Sequence, residues 1–315
     1  MVTFPNAKIN LGLRITRKRT DGYHDLETIF LPIGIHDALE ILPAPGSDLP
    51  LLTESGLPVA GDPDQHLCRK AWNLLKRECP QLPTVRMHLH KTIPMGAGMG
   101  GGSSDGASTL VMLNDLFQLG LTRDRLSELA LQLGSDCPFF ILNKPCLAKG
   151  RGELMIPVNS GAVNSGAVSS GAVSSGAVNS GAVNSGAVNS SAVYSGAVNC
   201  ELLNCELVVV HPGVHVSTKQ AFAGVKPSDE GPSLEGSIKA PMSAWRDLIR
   251  NDFEPSVFAA QPVIGRIKDL LYAKGALYAS MTGSGSAVFG LFRKGTLPRI
   301  DAEPGWRIFH PALLA

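Results

Sequence analysis

A chain of 315 residues with 44% hydrophobic and 17% charged side chains has the composition of a protein that buries a core, not of a disordered one. A formal net charge of +1 argues against a nucleic-acid partner, and no apolar run reaches the roughly 18 to 20 residues needed to cross a membrane. The six cysteines show neither CxxC spacing nor paired histidines, and the start Met1–Pro5 has no signal-peptide character, so free thiols in the cytoplasm are expected.

The first element is a strand. Ile9, Leu11, Leu13 and Ile15 alternate with Lys8, Asn10, Gly12 and Arg14, the two-residue period of a pleated chain. Lys8 and Asn10 therefore share a face. The short cationic run Arg14–Arg19 reads as a solvated hairpin, and Asp21-Gly22 turns the chain into a second strand. Val85, Met87 and Leu89 alternate again and lead to Pro94 and a glycine tract. A helix is predicted over Asp105–Phe117, where Ala107, Leu110, Leu113 and Phe117 fall near one face. Thr122 caps another, with Leu126, Leu129, Ala130 and Leu133 in helical spacing and Gly134 as its stop.

Residues 159–198 hold eight copies of a pentad, NSGAV and its variants. Ala-Val is a poor filler for a five-residue β-helix, so the repeat reads as an expanded tandem duplication carried as a surface loop, whose closure cost grows slowly with length. Beyond it come a strand (Leu207–Val210), a helix (Pro262–Ala273) and a strand–glycine–strand unit (Leu277–Phe292). Strands and helices mix without βαβ alternation, which indicates the α+β class, in two parts, 1–158 and 199–315, flanking the 159–198 insert.

The strongest chemical signal is Pro94-Met95-Gly96-Ala97-Gly98-Met99-Gly100-Gly101-Gly102-Ser103-Ser104. Five glycines in seven positions let backbone N–H groups approach an anion, and a helix entrance adds unpaired donors. The hydroxyls of Ser103 and Ser104 can cap the helix and reach a phosphate or its Mg²⁺. Asp105 adds a carboxylate there, as a helix cap or a Mg²⁺ contact. Gly96-x-Gly98-x-x-Gly101 matches the dinucleotide fingerprint only formally, and no lysine lies between Lys91 and Lys144 to complete a Walker loop. The protein-kinase signatures are absent as well.

Lys8, Asn10 and Asp136 form a second constellation. Asp136 sits in Gly134-Ser-Asp-Cys-Pro138, after a helix end and before a proline expected to turn the chain. A lone strand lysine is ordinarily a solvated flank, and an aspartate there a turn-former. Beside a phosphate loop, however, a carboxylate can take a hydroxyl proton and an ammonium can hold it ionised and offset developing charge. The third motif, Ser280-Met-Thr-Gly-Ser-Gly-Ser-Ala-Val-Phe289, reads either as a β-turn or as a further wall of the same site.

Together the lysine strand, the Pro-x-x-x-Gly-x-Gly loop and the C-terminal glycine loop resemble the GHMP kinases. Asp21-Gly-Tyr-His24, Gly134-Ser-Asp-Cys-Pro138, His211-Pro-Gly-Val214 and Met281-Thr-Gly-Ser-Gly285 point to the branch acting on CDP-methylerythritol. The resemblance covers nearly all of the chain except the repeat. It implies a ribosomal protein S5 domain 2-like N-terminal domain joined to a ferredoxin-like C-terminal domain. It further implies ATP- and Mg²⁺-dependent phosphorylation of the 2-hydroxyl of that small molecule, in the non-mevalonate route to isoprenoid precursors, by a monomer or homodimer. Asp136 would be the base and Lys8 its cationic partner; Pro94 to Ser104 would wrap the ATP phosphates. Asn10, Tyr23 and His24 would lie along the substrate, with Thr218 and Phe222 holding the cytosine, although core packing also accounts for Tyr23 and Phe222. Another GHMP kinase, or a non-catalytic nucleotide-binding module on the same scaffold, is the alternative.

Overall fold

The alternating segment that opens the chain pairs with the one after the Asp21-Gly22 turn to make a hairpin of two 13-residue strands. In the computed structural model, which describes residues 1–44, 46, 49–59, 61–158 and 200–314, the elements run as follows. The strands are β1 (Val2–Thr3), β2 (Asn6–Lys18), β3 (His24–His36), β4 (Ala38–Pro43), β5 (Leu51–Gly56), β6 (Val85–Lys91), β7 (Cys146–Lys149), β8 (Leu154–Pro157), β9 (Cys205–His211), β10 (Tyr278–Met281), β11 (Val288–Arg293) and β12 (Arg307–Phe309). The helices are α1 (Leu67–Glu78), α2 (Gly101–Leu116), α3 (Arg123–Leu133), α4 (Cys137–Leu142), α5 (Thr218–Ala223), α6 (Leu234–Ser237), α7 (Trp245–Leu248), α8 (Glu254–Ala260) and α9 (Pro262–Ala273). The pentad repeat, and with it the expectation of a surface loop, lies outside the described residues.

Among the described residues, strands and helices form an α+β arrangement around three four-stranded sheets, ordered β1-β4-β6-β5, β2-β3-β7-β8 and β10-β11-β9-β12. Helices α1 to α4 cover the first sheet. Trp72 and Leu75 of α1 and Leu110 and Leu113 of α2 are buried against Leu39, Met87 and Leu89, each side chain contributing roughly 1.5–3 kcal/mol of apolar burial. Helix α9 covers the third sheet through Ile264, Ile267 and Leu271. A further core joins β2 and β3 to the C-terminal half, packing Ile9 and Leu11 with Trp245, Tyr278 and Phe289. Among the described residues no helix is long and apolar enough to cross a membrane.

Strand β2 is buried on both faces from Asn6 to Leu13. Its alternation therefore separates an apolar core face from a buried polar face, not core from water. Gly12 (φ +70°) marks a register shift between Leu11 and Leu13, where a Cβ would collide with Leu234 and Ile249. The cationic run at the end of β2 is neutralised locally: Arg17 pairs with Asp25 at 2.6 Å, and Arg19 with Asp21 and Asp25 at 3.1 Å. Two boundaries differ from the sequence expectation. Helix α2 begins at Gly101, four residues before Asp105, because the glycines supply the turn and then enter the helix themselves. Pro138 does not turn the chain away but starts α4, a position where its missing N–H costs nothing.

Candidate active site

The glycine tract is shaped by contacts that exclude side chains. Gly96, Gly98 and Gly100 all have positive φ, between +63° and +74°. A Cβ on Gly98 would strike the Thr282 carbonyl, and one on Gly100 would press on Phe140 and the Lys8 stem. The loop is pinned from both sides by main-chain bonds: the Lys8 N–H donates to the Met99 carbonyl (3.0 Å), and the Ala287 N–H donates to the Ala97 carbonyl (3.2 Å). Pro94, Ala97 and Met99 face inward, whereas Met95 and Gly96 are exposed. Gly100 is the residue before α2, so the free N–H groups of Gly101, Gly102 and Ser103 point out of the helix entrance. Ser103 and Ser104 therefore lie within the first helical turn rather than capping it.

Lys8 leaves the polar face of β2 directly beneath this entrance. Its ammonium donates to Asn10 Oδ1 (2.5 Å), lies 3.4 Å from Asp136 Oδ2 and sits over the Phe30 ring at 5.1 Å. Burial pulls the ammonium below its ordinary value, and the Asp136 carboxylate works against that pull. Asp136 occupies the N-cap of α4 yet makes no capping bond, and its side chain is 36% exposed. It is thus anchored to a buried cation and open to an incoming ligand. The sequence expectation that Lys8, Asn10 and Asp136 converge beside the glycine tract agrees with this geometry.

The C-terminal loop enters the same spot through one hydroxyl. Thr282 Oγ1 accepts the Asn10 N–H (3.0 Å) and donates to the Gly98 carbonyl (3.1 Å), with Asn10 Oδ1 a second acceptor at 3.3 Å. Asn251 holds the loop in place by donating to the carbonyls of Met281 and Gly283, each at 2.8 Å. In the sequence this loop reads as either a β-turn or a further wall of the site. In the structure a threonine side chain of this loop ties the lysine strand to the glycine tract.

Asp105 does not cap the helix, which begins four residues earlier. Its Oδ2 accepts Lys91 Nζ at 2.7 Å, and Lys91 also pairs with Asp37, all three being about 99% or more buried. Two carboxylates against one ammonium leave a surplus negative charge in an apolar setting. Burial pushes the Asp105 carboxyl up to about 8; Lys91 pulls it down and Asp37 adds to the rise. Its Oδ1 is buried without a hydrogen-bond partner. Lys91 feels the opposite balance: burial lowers it, and the two carboxylates outweigh burial and hold it above its ordinary value. No sequence pattern announced this triad, since Asp37 is 54 residues from Lys91. Above it a cleft of ≈ 290 Å³ opens beside the glycine tract, lined by Leu52, Glu54, His66, Lys91, Met95 and Gly102 among others.

The remaining expected residues meet one another as follows. His24 stacks on Phe222 with ring centroids 4.8 Å apart and planes 24° from parallel, and Phe222 meets the edge of Phe253 at 4.8 Å. Phe222 is thus a half-buried residue packed against the core of the third sheet. Tyr23 is 55% exposed and does not stack on Phe222; the Arg151 guanidinium lies over its ring instead, 4.9 Å from the centroid. Thr218 is exposed and shares a hydrogen bond with Ser284 Oγ (3.2 Å), which brings it to the C-terminal glycine loop.

A glycine-walled helix entrance, with a buried lysine and a half-open carboxylate beneath it, is the geometry of a phosphotransferase acting on a small molecule. Residues 66–144 match the family model of the GHMP kinases N terminal domain, and residues 234–302 that of the GHMP kinases C terminal. The sequence is 43% identical over 303 residues to the 4-diphosphocytidyl-2-C-methyl-D-erythritol kinase of Bacteroides thetaiotaomicron, covering 96% of each chain. It is 40% identical over 292 residues to the enzyme of that name from Cytophaga hutchinsonii, covering 93% of this chain and 92% of the relative. A crystal structure of a 4-(cytidine 5'-diphospho)-2C-methyl-D-erythritol kinase superposes with a TM-score of 0.67 at 30% identity, over 92% of this chain and 90% of the other. The mevalonate kinase of Methanococcus jannaschii, at 13% identity and a TM-score of 0.62 over 100% and 98% of the two chains, shares the fold. The chain belongs to the 4-diphosphocytidyl-2-C-methyl-D-erythritol kinase family of the GHMP kinases.

Proposed function

We propose that this protein transfers the γ-phosphoryl group of Mg-ATP to the 2-hydroxyl of 4-CDP-2-C-methyl-D-erythritol, in the non-mevalonate route to isoprenoid precursors. The observation that carries the reading is the Lys8–Asp136 pair, 3.4 Å apart, at the mouth of the Pro94–Ser104 loop. Asp136 accepts the proton of the 2-hydroxyl while that oxygen bonds to the γ-phosphorus and the bond to the ADP oxygen breaks; the proton then passes from Asp136 to solvent. Lys8 anchors Asp136 before the transfer and offsets negative charge during it. The main-chain N–H groups of Gly101, Gly102 and Ser103 hold phosphate oxygens, and the adjoining cleft gives the purine a partly apolar seat.

Among the described residues no group of three His, Cys, Asp or Glu side chains could hold a metal ion by itself. The donor set fits a Mg²⁺ delivered on the nucleotide, since that ion favours phosphate oxygens and water over an all-protein cage. Ser103, half-buried in the first turn of α2, would hold it from the protein side; Asp105, bound to Lys91, would not. When bound, the ion screens the phosphate charge.

The test is a coupled ADP assay with Mg-ATP and the CDP-alcohol. Wild-type protein turns over, and Asp136→Asn lowers kcat by about 10²- to 10⁴-fold, the usual worth of a general base, while ATP affinity is retained. Normal turnover by Asp136→Asn removes Asp136 as the base. Phosphorylation of mevalonate or homoserine but not of the CDP-alcohol removes the substrate assignment.

A further inference from the structure

The outward face of the first sheet carries a polar cluster that the kinase reading does not use. His88 and His90 alternate on β6, so both imidazoles stand on the face that α1 to α4 leave uncovered, and both are exposed. Thr53 and Ser55 of the edge strand β5 stand beside them. Ser55 Oγ lies 2.9 Å from His88 Nε2 and 2.9 Å from His90 Nδ1, and Thr53 Oγ1 lies 2.9 Å from His88 Nδ1. Leu52 and Glu54, which alternate with these hydroxyls, line the cleft beside the glycine tract. The cluster is therefore on the opposite face of β5 from that cleft.

The hydrogen bonds fix which nitrogen carries each proton. Thr53 donates its one proton to the Met87 carbonyl (3.3 Å), so toward His88 it is an acceptor and Nδ1 bears the hydrogen. His88 Nε2 thus presents a lone pair to Ser55. Ser55 also has a single proton, which it donates to His88 while accepting the N–H of His90. An imidazole whose far N–H is held by an oxygen, with its other nitrogen aimed at a shared point, is oriented as metal-ligating histidines are. The His90 ring rests on Gly56, where a Cβ would come within 3.1 Å of Cε1. Its Nε2 has no hydrogen-bond partner among the described residues, so the proton on Nδ1 can move there through water and free a second lone pair at the same point.

We propose that His88 Nε2 and His90 Nδ1 chelate a borderline transition-metal dication, of the Ni²⁺, Cu²⁺ or Zn²⁺ type, in place of the Ser55 hydroxyl. Imidazole nitrogen suits these ions, whereas Mg²⁺ prefers oxygen, so the site is separate from the one that Mg-ATP would use. No third His, Cys, Asp or Glu among the described residues completes the set, so water fills the remaining positions. Glu40 stands directly opposite His88 in the β4–β6 register, and its negative charge offsets that of Arg86, two positions along β6. The bound ion replaces the histidine–serine bonds at the sheet edge and leaves the Thr53–His88 contact in place. The inference does not depend on the function proposed above.

The probe is Ni²⁺ alone. Calorimetric titration of NiCl₂ into the wild-type protein, without a histidine tag and in Mg²⁺-free buffer, is expected to show a site that is lost in the double variant His88→Gln/His90→Gln. Each single histidine variant weakens it at least about tenfold, since a chelate becomes a single ligand. Thr53→Val weakens it by about 10- to 100-fold, because the acceptor that orients His88 is gone. A wild type that binds no Ni²⁺ overturns the proposal, as does wild-type affinity in the double variant or in any of the three single variants. One measurement needs no variant and so does not hinge on their folding. In a nitrogen–proton correlation spectrum of the wild-type protein, substoichiometric Ni²⁺ should broaden the amides of residues 53–56 and 88–90 first. Broadening centred on any other histidine overturns the assignment.

Discussion

Replacing Thr282 by Val deletes a single hydroxyl at constant volume, at the point where β2, the glycine tract and the C-terminal loop meet. That hydroxyl accepts the Asn10 N–H and donates to the Gly98 carbonyl, and Thr282 is fully buried. In Thr282→Val the Asn10 N–H has no acceptor in a region closed to water, a loss of about 1–3 kcal/mol. At a few degrees of melting temperature per kcal/mol for a chain of this size, the shift is easily read calorimetrically. Asn10 relaxes away from the methyl group, and because its Oδ1 holds Lys8 Nζ at 2.5 Å, the ammonium moves with it. Misplacing a charged group by a fraction of an ångström in a preorganised site typically costs on the order of 10- to 100-fold in rate, so kcat should fall by about that much. Thr282→Ser, which keeps the oxygen, should recover most of the kcat even if it recovers little stability. The decisive assay is steady-state turnover on protein verified as folded. If Thr282→Val keeps kcat within about twofold of wild type, or if Thr282→Ser fails as badly, the hydroxyl does not position the lysine.

Other consequences can be measured separately. His66 caps α1 by accepting the Cys68 N–H on Nδ1 (3.2 Å), which requires a neutral ring, and burial with Lys91 and Arg69 nearby brings its pKa down to about 4. The unfolded chain therefore takes up the proton first, so stability from this residue is complete above pH 6.5 and lost as pH falls toward 4, by up to about 2–3 kcal/mol. His66→Asn should keep the cap and flatten that slope in urea melts; an unchanged slope would rule out His66 as its source. Asp105, raised to about 8, has the opposite sign: the fold retains its proton, so stability declines as pH rises from about 4 to 8. Between pH 6.5 and 8 the two effects separate, and Asp105→Asn should be the flatter protein there; a wild type with no slope in that window would contradict the protonated assignment. Gly98→Ala forces a Cβ onto the Thr282 carbonyl at φ +74°, so ATP binding should weaken by at least about tenfold in calorimetry. Wild-type ATP affinity in that variant would show that the loop tolerates a side chain.

What was legible in the sequence is what is local. The glycine tract, the Thr122 cap and the helix Pro262–Ala273 each declare themselves within a dozen residues, and each stands where expected. Lys8 and Asn10 were legible as a pair because strand parity alone puts them on one face. That this face is buried was not legible: periodicity reports that two faces differ, not which one meets water, and β2 is covered on both sides. Long-range partners were also out of reach. Asn10 and Thr282 are 272 residues apart, and Lys91 draws its two carboxylates from a strand end and from a helix that formed earlier than expected. The mutual arrangement of the aromatic residues was not legible either: His24 stacks on Phe222, whereas Tyr23 lies under the Arg151 guanidinium.

The burial of Lys8 is itself informative about chemistry. An ammonium about 3% exposed, with one carboxylate at 3.4 Å and one amide oxygen, is a poor device for stability. Desolvating the ion costs several kcal/mol, and an apolar residue of similar volume on the same strand would fold at least as well. A better stabiliser stands nearby, where Lys91 has two fully buried carboxylates and is held above its ordinary value, while Lys8 is drawn below its own. Under the proposed function the two lysines divide between structure and reaction. Lys91 is held by both Asp37 and Asp105 and sits under the glycine tract as part of its foundation. Lys8 is under-compensated, so any anion arriving above it, whether a transferring phosphoryl group or an ionising hydroxyl, meets a cation that gains from the encounter. A site built that way binds developing charge more tightly than it binds its resting ligands, which is the condition for lowering a phosphoryl-transfer barrier.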